Sequence, residues 1–393
     1  MENKIEIDEG EKKKQRNSLG FKENYLEFCR STSLHGLQYV GEQHRPMIER
    51  LFWLLSFLVS LAFVTYFVSQ TWNKWQTSPV FVTFAETSSP VWDIPFPAVT
   101  ICPEIKIKRT VLNFTSLCFN LNKSIDEIED YEKARLVCRS FTDFGLDFNE
   151  NFPLGYVPNN NLSSVEGISE FLQRVGPEVD DVLDICIWRG TSLPCDELFK
   201  PVITDDGLCY TSNTMNAQEM FREGTVQRDG DYELQFPNTS LWSYEKQYSD
   251  SDSNDVYPRR AMTNGGRGGL LLLLELTKKD IDALCSMVVH GVKVILTNPA
   301  DYPVDVLNQY ISIPFDRNVI VGIRPRVMTT TDGLKNYLPQ RRLCYFSNER
   351  YLRYFNLYTQ QNCNIECLTN YTLKLCGCVT FFMPRKLSFS RSF

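Results

Sequence analysis

Over the first 27 or so positions charged and polar residues dominate and no apolar repeat appears at helical or strand spacing, so this stretch reads as a flexible tail. From residue 51 to residue 73 the pattern inverts. No charged residue occurs there, and the centre, Leu54-Leu55-Ser56-Phe57-Leu58-Val59-Ser60-Leu61-Ala62-Phe63-Val64, is apolar on every side. About 20 such residues at 1.5 Å rise match the hydrocarbon thickness of a bilayer. A buried core helix of this length normally keeps a polar stripe. A cleaved signal peptide is a poor fit, because a long polar stretch precedes the segment and no small-residue cleavage site follows closely. The segment therefore reads as an uncleaved transmembrane helix, and no second stretch of this kind is found in the sequence.

Beyond the span the periodicities are mixed, which predicts an α+β fold. Pro95-Phe96-Pro97-Ala98-Val99-Thr100-Ile101-Cys102 has the β-branched content of a strand entered through prolines. Gly291–Thr297 alternates and stops at Asn298-Pro299, a strand followed by a turn. Leu270–Leu274 is too short to span a membrane and reads as a buried strand. Residues 123–139 show helical spacing, with Ile125, Ile128, Ala134 and Val137 apolar among charges, and predict an amphipathic surface helix. An acidic run at 249–255 and the string Asn264-Gly265-Gly266-Arg267-Gly268-Gly269 bracket a polar, glycine-rich loop. The acidic run lacks the spaced glycine and terminal glutamate of a calcium loop and reads as solvated surface.

Charge then orients the chain. Lys12, Lys13, Lys14, Arg16, Lys22, Arg30, Arg45 and Arg50 precede the span, while Lys74 alone follows it closely, so the N-terminus belongs in the cytoplasm. Trp72 and Trp75 suit the outer interface. The net charge of -7 is mild and spread along the chain, which leaves no basic face for nucleic acid. On the far side lie five glycosylation sequons, at Asn113, Asn122, Asn161, Asn238 and Asn370. Twelve of the 13 cysteines lie there too, Cys29 being the exception, and an oxidising compartment makes disulfides their natural reading. Zinc is the rival for Cys363-x-x-x-Cys367 with Cys376-x-Cys378, although no histidine lies nearby.

Several strings carry a resemblance. Phe28-Cys29-Arg30-Ser31-Thr32-Ser33-Leu34-His35-Gly36 resembles the segment just inside the first membrane helix of the degenerin and epithelial sodium channel family. Phe96-Pro97-Ala98-Val99-Thr100-Ile101-Cys102 is similar to the strand that follows that helix. Gly207-Leu208-Cys209-Tyr210-Thr211-Ser212-Asn213 resembles a further family string, with Ser212 where the family has phenylalanine. Residues 291–303 look like the insect pickpocket version of the central sheet. Arg342-Leu343-Cys344, the cysteine-bearing stretch 358–367 and Cys376-Gly377-Cys378 through Met383-Pro384-Arg385 are similar to the start of the family's thumb. In order, these strings cover most of the chain from Phe28 to Arg385.

The resemblance implies a cytoplasmic segment at 1–46, a first transmembrane helix at 47–73 and an extracellular domain at 74–393. That domain is a disulfide-rich hand of palm, finger, knuckle and partial thumb. It implies a subunit of an amiloride-sensitive-type channel that moves Na+ across the plasma membrane as a homo- or hetero-trimer, with His35 and Gly36 in gating and no cofactor. A glycine at position 36 permits the reverse turn needed to re-enter a pore mouth. Carried over from the family, Cys102 pairs with Cys209 and Cys186 with Cys195, and Cys118 is expected to bond Cys138. Cys344, Cys363, Cys367, Cys376 and Cys378 are expected to belong to thumb disulfides whose other halves lie past residue 393, before a second membrane helix that this sequence lacks. The chain by itself is accordingly expected to carry no current.

Two other readings compete. An anchored extracellular enzyme finds little support, since His290 is the only histidine past the span and no Gly-x-Ser-x-Gly or His-Glu-x-x-His site occurs. A single-pass receptor or adhesion glycoprotein fits the span, sequons and cysteines equally well, and only the family strings tell against it.

Overall fold

The computed structural model describes residue 20 and residues 23–386, apart from 30, 35, 43, 78–82, 85–87, 121–123, 139–166, 230–233, 238, 240–241, 246, 249–255, 286–290 and 305–309. The chain forms two compact units, residues 1–84 with 330–344, and residues 85–329 with 345–393.

The first unit is helical. Residues 23–29 form a helix, followed by α1 (Leu37–Gly41) and α2 (Met47–Thr77). The helix at 23–29 overlaps the stretch that the charge pattern assigns to a flexible tail. Its order comes from tertiary packing: Cys29 is fully buried, and a Cβ on Gly41 would stand only 2.7 Å from the Cys29 Cβ. A glycine at 41 is what lets the two segments touch. Two short helical pieces, Asp332–Asn336 and Pro339–Arg342, complete the unit.

The second unit is built on a five-stranded sheet in the order β10-β9-β1-β5-β4, every neighbouring pair antiparallel. Its strands are β1 (Ala98–Pro103), β4 (Lys200–Thr204), β5 (Gly207–Ser212), β9 (Gly291–Thr297) and β10 (Tyr310–Pro314). Three family-like strings read from the sequence thus meet side by side as β5, β1 and β9, with Val99 opposite Ser212 on one edge and Leu296 on the other. All six residues of β1 and of β5 are buried. A second sheet pairs β2 (Leu183–Trp188) with β3 (Thr191–Leu193) and β8 (Leu270–Leu274), and a small ribbon joins β6 (Trp242–Ser243) to β7 (Gln247–Tyr248).

β8 is a strand, but not the buried one its run of leucines predicts. It lies at the edge of a three-stranded sheet, and its residues alternate between half-buried and exposed, with Leu271 and Leu273 on the open side. One face packs and the other does not, so a uniform apolar run need not mean two covered faces.

Helices α3 (Phe114–Phe119), α4 (Ile125–Val137) and α5 (Ile168–Val175) follow β1 in the chain. The Ser124-x-x-Glu127 string that opens α4 is a full capping box, each side chain bonding the other's backbone N–H. The stripe α4 buries is Tyr131, Ala134 and Val137, while Ile125 points outward in the first turn. The last helix, α6 (Gln360–Cys376), is capped by the Thr359 hydroxyl and ends at Gly377 in the left-handed region. It buries Asn362, Ile365, Glu366 and Thr369, the i, i+3, i+4, i+7 stripe of a one-sided helix.

One charge cluster sits within the sheet. Asp206, in the β4–β5 turn, lies 2.8 Å from the Lys293 ammonium and 3.4 Å from that of Lys106. Both lysines are buried. Burial by itself raises the Asp206 carboxyl, and the two ammoniums more than reverse this and hold it below the usual carboxylate range. Because the folded pKa is depressed, the stabilisation is present at neutral pH and is lost as pH falls through the folded value. Asp206→Asn withdraws the counter-charge from two buried ammoniums and is expected to cost about 3 kcal/mol at pH 7. The loss should shrink as pH falls below the usual carboxylate range, as read from urea unfolding midpoints at neutral and acid pH.

Candidate functional site

The functional geometry begins with α2. Between Leu51 and Asn73 its polar residues are small or neutral, and Thr65 and Thr71 return their hydroxyls to the carbonyls of Leu61 and Phe67, each at 2.8 Å. Such back-bonding removes the cost of a hydroxyl in hydrocarbon. None of the helix's residues is buried, and it is long and apolar enough to cross a membrane.

At its N-terminal end the chain folds back along the helix. Gly36 caps α1 with φ 94°, a conformation that L side chains rarely adopt, and a Cβ there would lie 3.6 Å from the Trp53 ring and 4.0 Å from the Phe57 Cβ. Tyr39 packs on Trp53, ring centroids 4.7 Å apart. Arg45 bonds both Glu42 and Glu49, and its guanidinium lies 4.6 Å over the Tyr39 ring. Trp53 and Phe57 stand three and seven residues beyond Arg50, the last charge before the span, so the turn reaches roughly 5 to 10 Å into the apolar zone. His35, expected beside Gly36 in gating, lies outside the described residues.

At its C-terminal end a second segment of the same unit grips the helix. Arg341 places its guanidinium 5.3 Å over Trp75 and 5.1 Å over Tyr337, and donates to the Gln76 Oε1 at 3.2 Å. Its neighbour Arg342 is buried and donates to the carbonyls of Cys344 at 3.0 Å and Tyr337 at 2.7 Å. One arginine fixes the shape of the segment and the other fixes it to the helix. Nothing in the sequence pattern marks this pair beyond its place next to Cys344.

A helix fit to span a bilayer, a glycine turn folded against it and a β-sheet unit beyond it are the setting in which the family comparison can be weighed. The sequence profile described as the amiloride-sensitive sodium channel matches residues 28–391. The chain belongs to that family. Pickpocket protein 28 of Drosophila melanogaster is 27% identical over 368 residues, which cover 93% of this chain and 56% of that protein. The sodium channel protein Nach of Drosophila melanogaster is 25% identical over 366 residues, 91% of this chain and 63% of that protein. Acid-sensing ion channel 1A of Danio rerio is 24% identical over 372 residues, 91% of this chain and 62% of its own length. The chain thus spans between about half and two thirds of the length of the relatives it matches.

In this member of the family, the two disulfides carried over from the resemblance are formed. Cys102 bonds Cys209, tying β1 to β5, and Cys186 bonds Cys195 across a separation of 9 residues. The expected Cys118–Cys138 bond is not: Cys138 pairs with Cys285. Cys118 lies close to Tyr131, whose phenol is raised by burial and by that thiol, and Tyr131 is two helical turns, about 10 Å, short of Cys138. Cys285 comes to Cys138 because the preceding turn is anchored by Asp282, which accepts from the Thr115 backbone at 3.0 Å. Sequence spacing carries no signal for a bond across 147 positions.

Cys344, Cys367 and Cys376 are exposed, Cys363 is half-buried, and Cys378 donates its thiol to the Cys376 carbonyl at 3.2 Å; none is in a disulfide among the described residues. Of the sequons, Asn370 is exposed on α6 and Asn113 caps α3, accepting from the Ser116 N–H at 2.9 Å. Asn122, Asn161 and Asn238 lie outside the described residues, as does the acidic run at 249–255.

Where β9 hands over to α6 there is one titrating group with an unusual setting. Asn362 donates to the Ala300 carbonyl at 3.0 Å and accepts from the Tyr302 N–H at 3.1 Å, clamping the turn after β9 to the helix start. Asp301, between them, is pushed up to about 6 by burial, against the opposing hydrogen bonds from Thr359 and from the Asn298 backbone. Its Oδ1 has no hydrogen-bond partner among the described residues, and Tyr244 is the other ionisable group that feels its charge.

Two outcomes are expected. Gly36→Ala should destabilise the turn by about 1 kcal/mol through backbone strain. Faster proteolysis after Arg30 in membranes, with unchanged proteolysis of the second unit, is the readout. Asp301 has a folded pKa above its unfolded value of about 3.9, so its ionisation opposes folding above pH 6 and the penalty disappears as pH falls toward 4. Asp301→Asn should therefore stabilise the chain by about 2 kcal/mol at pH 7.5 and by little at pH 4. A pH-independent gain in the urea midpoint would contradict this account.

Proposed function

We propose that the chain is a subunit of an oligomeric Na+ channel of the plasma membrane, with its N-terminus in the cytoplasm and residues from 74 onward outside the cell. The observation that supports this best is the turn at Gly36. Non-helical backbone at membrane depth is tolerated only where protein covers it or where it lines a water-filled cavity, and a pore mouth supplies both. Family membership adds the class of activity, and the basic flank before α2 supports the orientation. In this reading His35 and Gly36 form the inner gate element, and Arg341 clamps the outer end of the helix at Trp75. Assembly as a trimer, alone or with related subunits, follows the family reading, as do glycans on the exposed Asn370 and disulfides at the thumb cysteines.

Topology and assembly are separately testable. Endoglycosidase treatment of membranes should lower the apparent mass, and an N-terminal tag should be reached by antibody only after permeabilisation. An unchanged mass together with a tag accessible on intact cells reverses the orientation. Co-expressed with Pickpocket protein 28, the chain should co-purify and change the amplitude of amiloride-sensitive Na+ current at least about twofold, an effect that Gly36→Ala should diminish. No association and no change in current would refute the subunit assignment.

A further inference from the structure

The second unit holds a cavity of about 470 Å³. Trp188, Leu193 and Tyr257 form apolar wall, and Arg189, Arg259 and Arg260 line it as well. The described lining contains no carboxylate. This volume is that of a small-molecule site, in which mostly apolar walls and a few fixed polar groups are the usual composition.

The arginines are delivered by stiff backbone. Arg189 and Gly190 are the two central residues of the β2–β3 hairpin, with φ of 52° and 83°. Both positive values make this a type I′ turn, whose first position favours Asn, Asp or Gly because their backbones reach that region most easily. An arginine there carries a conformational cost that folding alone does not reward, and residues held so cluster at functional sites. Its N–H donates to the Gly269 carbonyl at 3.0 Å, which anchors the tip to the neighbouring chain.

Arg259 is held from both sides of its peptide. The Asn213 side chain accepts from its N–H at 2.5 Å and donates to its carbonyl at 3.1 Å, and the Phe96 N–H donates to the same carbonyl at 2.9 Å. Asn213, itself at φ 63°, thereby fixes the wall to the ends of β1 and β5. Arg260 is buried, its guanidinium 4.7 Å over the Tyr248 ring and bonded to the Trp92 carbonyl at 3.0 Å, so its place in the wall is fixed. The side chains of Arg189 and Arg259 make no ion pair with any described residue. A planar guanidinium matches a carboxylate through two parallel N–H donors. Tyr257, its hydroxyl donating to the Thr214 carbonyl at 2.5 Å, presents a fixed ring beside it.

We propose that this cavity binds a small organic carboxylate with a planar apolar body, its carboxylate held by Arg189 and Arg259 and its body between Trp188 and Tyr257. Calorimetric titration of the full chain in detergent micelles tests this, with 1-naphthoate as the probe, the neutral 1-naphthylmethanol as its uncharged counterpart and empty micelles as the blank. One saturable site per chain is expected for naphthoate. The alcohol, Arg189→Gln and Arg259→Gln should each weaken binding at least about tenfold, the scale of one lost charge-assisted hydrogen bond. Peptide maps of the variants should retain the Cys102–Cys209 and Cys186–Cys195 bonds. Absence of saturable binding by the wild-type chain, equal affinity for the alcohol, or undiminished binding by the double variant overturns the proposal. The comparison of acid with alcohol needs no variant to fold.

Discussion

The second unit is organised around a strand with neighbours on both edges and no exposed face. β1 is buried along its whole length, and its backbone groups must find partners in the protein, with β9 paired along all six residues on one side and β5 along Val99–Ile101 on the other. Thr100 and Thr211 meet across the β1–β5 pairing with hydroxyls 2.8 Å apart, so two polar side chains in the buried sheet satisfy each other. The Cys102–Cys209 bond joins the same two strands across 107 positions. In the loop-entropy description such a closure removes about 4 to 5 kcal/mol of freedom from the unfolded chain. The helices α3 to α5 are inserted between the bonded cysteines, and β9 carries Asp301 and the start of α6 to their places. Displacing β1 would release all of them together.

How far this arrangement could be read from the chain depended on whether the signal was local. The β1 and β9 segments announce themselves through β-branched content and bounding turns, β5 only through its family-like string, the span through its lack of charge, and α4 through the helical spacing of its apolar residues. The misreadings have one physical origin. The leucines of β8 look like a buried strand because composition records apolarity and not the number of covered faces. The helix at 23–29 looks like a tail because its support is a close approach between Cys29 and Gly41, which charge patterning does not register. Cys138 finds Cys285 because the turn at Asp282 is anchored to Thr115, a fact of three-dimensional placement. The cavity arginines were silent for the same reason: Arg189 is unremarkable in sequence and becomes informative only through its positive φ and its company.

On the site itself, the sequence singled out Gly36 through its family-like setting, and the structure gives that residue a physical role. It gave no role to the clamp at the other end of the helix: Arg342 was noticed only as part of a family-like string, and the importance of Arg341 and Arg342 lies in which rings and carbonyls they reach. The two contacts nonetheless share a geometric relation that the numbering makes visible. Phe57 meets the Gly36 turn and Trp75 meets Arg341, and the spacing from Phe57 to Trp75 is about five whole helical turns, roughly 27 Å. The two contacts therefore fall on one face of α2. The same face carries Val64, Val68 and Thr71 between them. A continuous α-helix resists twisting between its ends, because every turn is fixed to the next by main-chain hydrogen bonds. The residues that meet Arg341 and the Gly36 turn are for that reason held in a fixed orientation relative to one another.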